Sequence, residues 1–173
     1  NEGGNINFVD TGFVPSDHFH LAGLESALVC GPFSLQSEIM GSSVSTPGGG
    51  DDLVFYGAYV FASYFLTGEN RNYRRSTGAF DRTPVYSPFF RVNTPRGVCC
   101  GPGAWELAAR WSYLNLTDGF VQGGALNDIT LGVNWYANEY MRIQFNYIHA
   151  FLDNPVTGDS DANIFITRFS VFW

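Results

Sequence analysis

The feature that most limits the fold of this chain is a repeated alternation of apolar and polar residues in runs of strand length. From Gly103 to Leu116, Trp105, Leu107, Ala109, Trp111 and Tyr113 share one face of an extended backbone, while Glu106, Arg110 and Ser112 share the other. Asn127 to Tyr136 repeats the pattern, with Ile129, Leu131, Val133 and Trp135 against Asp128, Thr130, Gly132 and Asn134. Tyr140 to Phe151 sets Met141, Ile143, Phe145 and Tyr147 against Arg142, Gln144 and Asn146. The last run, Asn163 to Trp173, sets Phe165, Phe169, Val171 and Trp173 against Arg168 and Ser170. A period of two is the signature of half-buried strands, not helices.

Upstream the pattern is weaker. His18 to Cys30 and Phe33 to Val44 are strand-length runs separated by Gly31-Pro32, a tight turn. Leu21, Leu24 and Leu28 also fit a helix, but pairing across so short a turn favours a hairpin. Leu53 to Leu66 is aromatic and β-branched, and apolar on both faces, so parity alone does not place its outside. Ile6 to Val9, followed by Asp10-Thr11-Gly12, reads as a strand end or a loop. Residues 46–52 and 117–125 read as loops, and Ala137-Asn138-Glu139 as a short turn.

Composition separates the candidate all-β classes. The chain is 45% hydrophobic and 17% aromatic, but only 14% charged, against about 25% charged in soluble domains. No apolar run approaches the ~20 residues of a membrane helix. A soluble sandwich also alternates, but it would bury its tryptophans and tyrosines and pair their polar atoms. Here Trp105, Trp111, Trp135, Tyr147 and Trp173 lie on the apolar face near strand ends, the belt position at a membrane interface. The opposite face, with Glu106, Asp128, Asn134, Gln144 and Asn146, suits a wet lumen. The sequence therefore predicts an all-β fold, a transmembrane antiparallel β-barrel with the lipid bilayer as its partner. A terminal Phe172-Trp173 on an amphipathic strand resembles an outer-membrane assembly signal. Asn1 to Asp10 has no basic segment or apolar core of a secretory leader, so the chain reads as a mature form or, better, as a fragment lacking its N-terminal part.

The segment from Thr67 to Pro102 interrupts the pattern. It holds Arg71, Arg74, Arg75, Arg82, Arg91 and Arg96, in a chain without lysine and with a net charge of −7. That net charge argues against nucleic acid as a partner. If Trp173 ends on the periplasmic side, alternate connections fall on alternate sides. The turns at 31–32 and 137–139 are then periplasmic, and 46–52, 117–125 and 152–162 extracellular. The long segment 67–102 also falls on the periplasmic side, which is anomalous unless it folds into the lumen. Its arginines, with Arg110, Arg142 and Arg168 on the lumen face, could then pass anions between weak sites. The competing reading pairs them with Glu69, Asp81, Glu106 and Asp128, pinning the segment to the wall.

Five stretches carry a resemblance: Phe8 to Gly12, Gly31 to Gln36, Leu66 to Arg71, Gly103 to Arg110 and Leu126 to Tyr136. In order and spacing they resemble the phosphate-selective porin O and P family. The resemblance implies a barrel of about sixteen strands, within the range of outer-membrane barrels, of which this chain would supply about the last seven. It also implies an outer-membrane location, a homotrimer, small anions or other hydrophilic solutes as cargo, and a periplasmic segment folded inward to narrow the pore. The family's phosphate site also draws on lysines, and this chain supplies none, so a general or weakly anion-preferring pore is the expectation.

Other candidate sites are poor. His18 and His20 share a strand face without a third ligand, and Asp51, Asp52, Asp153, Asp159 and Asp161 read as solvated loop charge rather than a calcium site. Cys30, Cys99 and Cys100 make neither a disulfide framework nor a spaced zinc motif. No serine–histidine–acid set is evident, and no enzyme activity, metal or cofactor is expected. Two functions remain: passive diffusion through a constricted pore, or a plugged, structural barrel serving envelope architecture or partner binding.

Overall fold

The computed structural model describes residues 8–48, 50–90, 92–95, 97–156 and 158–173, with the backbone alone at 92–94 and 99. It contains eleven strands: β1 (His18–Cys30), β2 (Phe33–Ser45), β3 (Leu53–Phe65), β4 (Tyr73–Arg74), β5 (Ala79–Phe80), β6 (Val92–Thr94), β7 (Gly97–Cys99), β8 (Ala104–Asp118), β9 (Val121–Asn138), β10 (Met141–Asp153) and β11 (Ser160–Val171). Seven of them form one antiparallel sheet in the order β1-β2-β3-β8-β9-β10-β11. The short pairs β4-β5 and β6-β7 are separate two-stranded sheets within the segment 67–102. The sheet is open, with β1 and β11 as its edges.

The long strands run 12 to 18 residues, beyond the ~9–11 that a tilted strand needs to cross hydrocarbon. Their register carries the alternation across the sheet. Trp105 pairs with Trp135, and Trp111 with Ile129 on one side and Val60 on the other. Phe145 pairs with Val133, and Tyr147 with Leu131 and Phe165. All these side chains share one face, hereafter the outer face, and Leu24, Ile39, Val60, Leu131, Phe145 and Phe165 on it are exposed. An apolar face of this extent, left uncovered by any second layer among the described residues, fits lipid and not water. The sandwich alternative therefore falls.

The inner face carries Ser34, Ser63, Glu106, Arg110, Asp128, Asn134, Arg142 and Gln144. The Ser34 and Ser63 hydroxyls bond across β2 and β3 at 2.8 Å, buried. The compact core lies at one rim, where Val85 of the long segment packs with Phe65, Ala104 and Tyr136.

One expectation changes at the connections. The stretch 117–125 is not a loop: β8 and β9 run on to Asp118 and Val121, leaving Gly119 and Phe120 as the turn. The backbone groups are met locally, by the Asn115 side chain accepting from Thr117 N at 2.8 Å and the Thr117 hydroxyl from Gly124 N at 2.9 Å. A bulge between Asn115 and Thr117 absorbs the irregularity. The helical option for 18–30 is excluded, since β1 pairs with β2 along its whole length. Residues 10–16 have no regular structure, and Asp10 N donates to Gly123 O at 3.0 Å.

Candidate pore constriction

The segment after β3 is fixed to the sheet by successive residues from Thr67 to Arg71. Leu66 N donates to Trp105 O at 2.8 Å, and the Thr67 hydroxyl accepts from Trp105 N at 3.0 Å. That hydroxyl in turn donates to Glu69, whose other carboxylate oxygen accepts from Tyr86 N at 3.3 Å. Glu69 is buried, and these donors give each of its carboxylate oxygens a hydrogen bond. The Tyr86 hydroxyl donates to Asn70 Oδ1 at 3.0 Å, closing the near end of the segment against its middle.

Arg71 then reaches the inner face of the wall. Its Nε and Nη2 donate to Glu106 Oε1 at 3.0 and 2.7 Å. Glu106 is 0% exposed, and its second oxygen accepts from Asn134 Nδ2 at 2.7 Å and the Tyr136 hydroxyl at 2.8 Å. Gln144 Nε2 donates to Asn134 Oδ1 at 3.1 Å, extending the network to β10. The Arg71 guanidinium also lies 5.0 Å from the Phe61 ring of β3 and 5.5 Å from Phe80 of β5. One cation thus joins the wall to the segment by charge, two hydrogen bonds to a single carboxylate oxygen and ring contacts.

The turn at the end of the segment depends on a glycine. Gly103 has φ +73°, and an added Cβ would sit 2.5 Å from Tyr136 O and 2.7 Å from Trp135 Nε1. The indole N–H groups of Trp105 and Trp135 both donate to Pro102 O, at 3.2 and 2.8 Å.

The remaining arginines differ in role. Arg74 pairs with Asp81 in the exposed β4-β5 hairpin. The Arg82 backbone N–H, and then the Arg74 guanidinium, hold the Asp81 carboxyl below its ordinary range. Arg75 is exposed. Arg82 lies 5.3 Å from the Tyr140 ring and donates to Trp173 O at 3.3 Å. Arg110 lies 4.6 Å from Tyr59, and Arg142 lies between Tyr136 and Phe172 at 5.6 and 5.5 Å. Arg168 is exposed on β11. Arg91 and Arg96 lie outside the described residues. Among the described residues Arg110, Arg142 and Arg168 form no ion pair.

The structure thus brings Arg71, Glu106, Asn134 and Gln144 into one network. Asp128 stands apart, bonded to the Ser112 and Thr130 hydroxyls and to no arginine. Asn146 stays on the inner face beside Gly132. Of the belt residues, Trp111 Nε1 donates to Asn127 at 2.8 Å and Tyr147 to Asn163 at 2.7 Å, while Trp173 is 98% exposed. His18 and His20 meet edge to face at 5.5 Å, and no group of three or more possible ligands is placed to hold a metal among the described residues. Cys30 and Cys100 are free and exposed. Sequence reasoning missed Thr67, Val85, Tyr86 and Tyr136, which hold the segment down; each is an uncharged residue whose partner lies far along the chain.

The segment does not keep to one face. Arg71 and Phe80 meet the inner face, but Phe89 meets Trp135 on the outer face at 4.9 Å.

An antiparallel sheet with one polar and one apolar face agrees with comparison to known proteins. The family model for "Phosphate-selective porin O and P" matches residues 1–171. This chain belongs to that family. It is 30% identical over 158 residues to Porin O of Pseudomonas aeruginosa, covering 84% of this chain and 33% of that protein. It is 32% identical over 143 residues to an uncharacterized protein of Caulobacter vibrioides, covering 83% of this chain and 27% of that one. The chain therefore spans between about a quarter and a third of the length of these relatives. Membership of a porin family identifies the seven-stranded sheet as part of a β-barrel wall, and the family is one of channels rather than enzymes.

Proposed function

We propose that this chain forms part of the wall of an outer-membrane porin through which small hydrophilic solutes diffuse passively. The first part of the long segment, from Thr67 to Tyr86, narrows the lumen on the periplasmic side. The observation that carries this reading is the Arg71–Glu106 contact, which ties the segment to the polar face of the wall. A segment held against the outer face alone would leave the lumen unchanged.

The proposed pore prefers anions weakly. Arg71 spends its charge on Glu106, but Arg110, Arg142 and Arg168 keep theirs free of carboxylates, stacked on rings or exposed. Guanidinium groups stay charged at any pH a cell meets, so the preference is steady. Glu25 and Glu38 face each other across β1 and β2 on the same inner face and oppose it. The remaining strands, to about sixteen in a barrel of ordinary size, and a homotrimeric assembly are parts of the same proposal. Reversal potentials of the full-length protein in a potassium chloride gradient test the selectivity. A shift toward the chloride potential is expected; a shift toward the potassium potential contradicts the anion preference. Absence of any conductance would favour a plugged, structural barrel.

A further inference from the structure

Apart from the Arg71 network, the inner face holds a cleft built from two neighbouring rows of the register. The first row crosses the sheet as Glu38, Tyr59, Ser112 and Asp128. The next, nearer the β8–β9 turn, runs Met40, Gly57, Leu114 and Leu126. Arg110 stands beside the first row, on the side away from that turn. Gly57 makes the space. A Cβ added there would lie 3.4 Å from Leu114 Cδ1 and 3.8 Å from Met40 Cγ, so these side chains approach over the bare backbone. The result is a cavity of about 220 Å³ with Met40, Leu114 and Leu126 as its apolar floor. Tyr59, Arg110, Ser112 and Asp128 line its polar side.

Arg110 and Asp128 bring opposite charges to this cleft, yet they do not pair. Arg110 faces Thr130 across β8 and β9, and Asp128 faces Ser112, so the two are diagonal neighbours within reach of a long side chain. Arg110 turns the other way and stacks on Tyr59 of β3, 4.6 Å from the ring centroid. Asp128 accepts from the Ser112 hydroxyl, and from Thr130 Oγ1 at 3.3 Å. A cation and an anion are thus held apart over one cavity, each by neutral neighbours. The two hydroxyls leave part of the carboxylate's acceptor capacity open, and a guanidinium has donors to spare. An anion alone would meet Asp128, with Glu38 and Glu25 beyond it in the same row. A cation alone would meet Arg110.

We infer that the cleft binds a small zwitterion with an aliphatic side chain, of the α-amino acid class. Its carboxylate takes the Arg110 guanidinium, its ammonium takes Asp128, and its side chain lies over Met40, Leu114 and Leu126. The volume sets the size, since about 220 Å³ falls below the ~300 Å³ at which drug-sized pockets begin. The inference rests on reading the polar face as a lumen wall, where a passing solute would reach the cleft.

Saturation-transfer NMR on the full-length protein in detergent micelles tests it, with leucine as the probe. The leucine methyl groups should receive the strongest transfer, from the apolar floor. Two analogues lack one charge each: 4-methylpentanoate has no ammonium, and 3-methylbutylamine no carboxylate. Each should bind about tenfold more weakly or worse, as the loss of one hydrogen bond to a charged partner implies. Arg110→Gln and Asp128→Asn should weaken leucine by a similar factor. The analogues report on the unaltered protein, so a misfolded variant leaves the test standing. Equal binding of 4-methylpentanoate would make this an ordinary anion site and overturn the inference. Equal binding of the amine would make it a cation site and overturn it too. So would undiminished leucine binding in both variants. Single-channel recording then separates the cleft from the pore. Conductance steps that leucine interrupts support both; steps that leucine leaves untouched overturn the inference alone. Absence of any steps overturns the porin reading, and the inference with it.

Discussion

Replacing Glu106 with alanine separates the cost of the buried network from the cost of undocking the segment. In the wall, Glu106→Ala leaves the Asn134 and Tyr136 donors without their acceptor, whether or not the segment is docked. Docking itself loses the two bonds from Arg71, at 3.0 and 2.7 Å. Hydrogen bonds to a charged partner contribute about 1.5–3 kcal/mol. With the Arg71 side chain 18% exposed, water recovers part of that, and a net loss of about 2–3 kcal/mol for docking follows. At tenfold for each ~1.4 kcal/mol, the undocked population rises ~30- to 150-fold. Hydrogen–deuterium exchange on the full-length protein in nanodiscs reads this directly, because the amides of residues 67–86 exchange from the undocked state. Glu106→Gln keeps an acceptor for Arg71 but loses the opposing charge, so its loss should be smaller, about 1 kcal/mol, since the cation still donates to a neutral oxygen. Wild-type protection across 67–86 in Glu106→Ala would show that the Arg71–Glu106 contact does not hold the segment down.

Further outcomes follow from neighbouring contacts. Arg74→Ala removes an exposed pair and should leave exchange across 67–71 and 82–86 unchanged, since solvent screens such pairs; increased exchange there would give the hairpin a structural weight that its exposure denies. The same pair sets a pH window. Asp81 titrates below its ordinary value of 3.8, so its contribution is complete above that pH and is lost as pH falls through the lowered value. Protection of residues 73–80 should therefore be flat from neutral pH to about 5, above the ordinary carboxylate range, and fall only in stronger acid. Gly103→Ala forces a Cβ to within 2.5 Å of Tyr136 O at a positive φ; the left-handed conformation alone costs about 1–2 kcal/mol. It should lower the barrel's unfolding temperature in detergent, and an unchanged temperature would show that the turn relaxes freely. With the other cysteines replaced, Cys30 at the end of β1, beside the β1–β2 turn, should react with a bulky impermeant maleimide only after the outer membrane is opened; labelling on intact cells would reverse the proposed orientation.

Much of the sheet was legible because its two solvents differ. Lipid and lumen impose the period of two that appears in β8 to β11, and the register confirms it residue by residue. Leu53 to Leu66 hid its parity because Phe61 and Phe65 face inward, one under Arg71 and the other in the rim core. The stretch 117–125 looked like a loop because glycine and aspartate normally end strands. Here the Asn115 and Thr117 side chains satisfy the backbone and let the strands continue. The arginines showed a charge cluster but not its partners. Arg71 finds Glu106 across 35 positions, while Glu69 takes an uncharged hydroxyl and a backbone amide instead. Nor does charge alone reveal that the segment divides between faces, since the outer-face part is placed by Phe89 and Gly103.

If the Arg71 tether holds a constriction across the lumen, removing the hairpin beyond it widens the path. Single-channel recording of the full-length protein against a variant lacking residues 72–81 measures it most directly. Discrete conductance steps are expected in the wild type and larger steps in the variant. Equal steps in the two proteins would show that the segment does not narrow the path, and would contradict the proposed constriction.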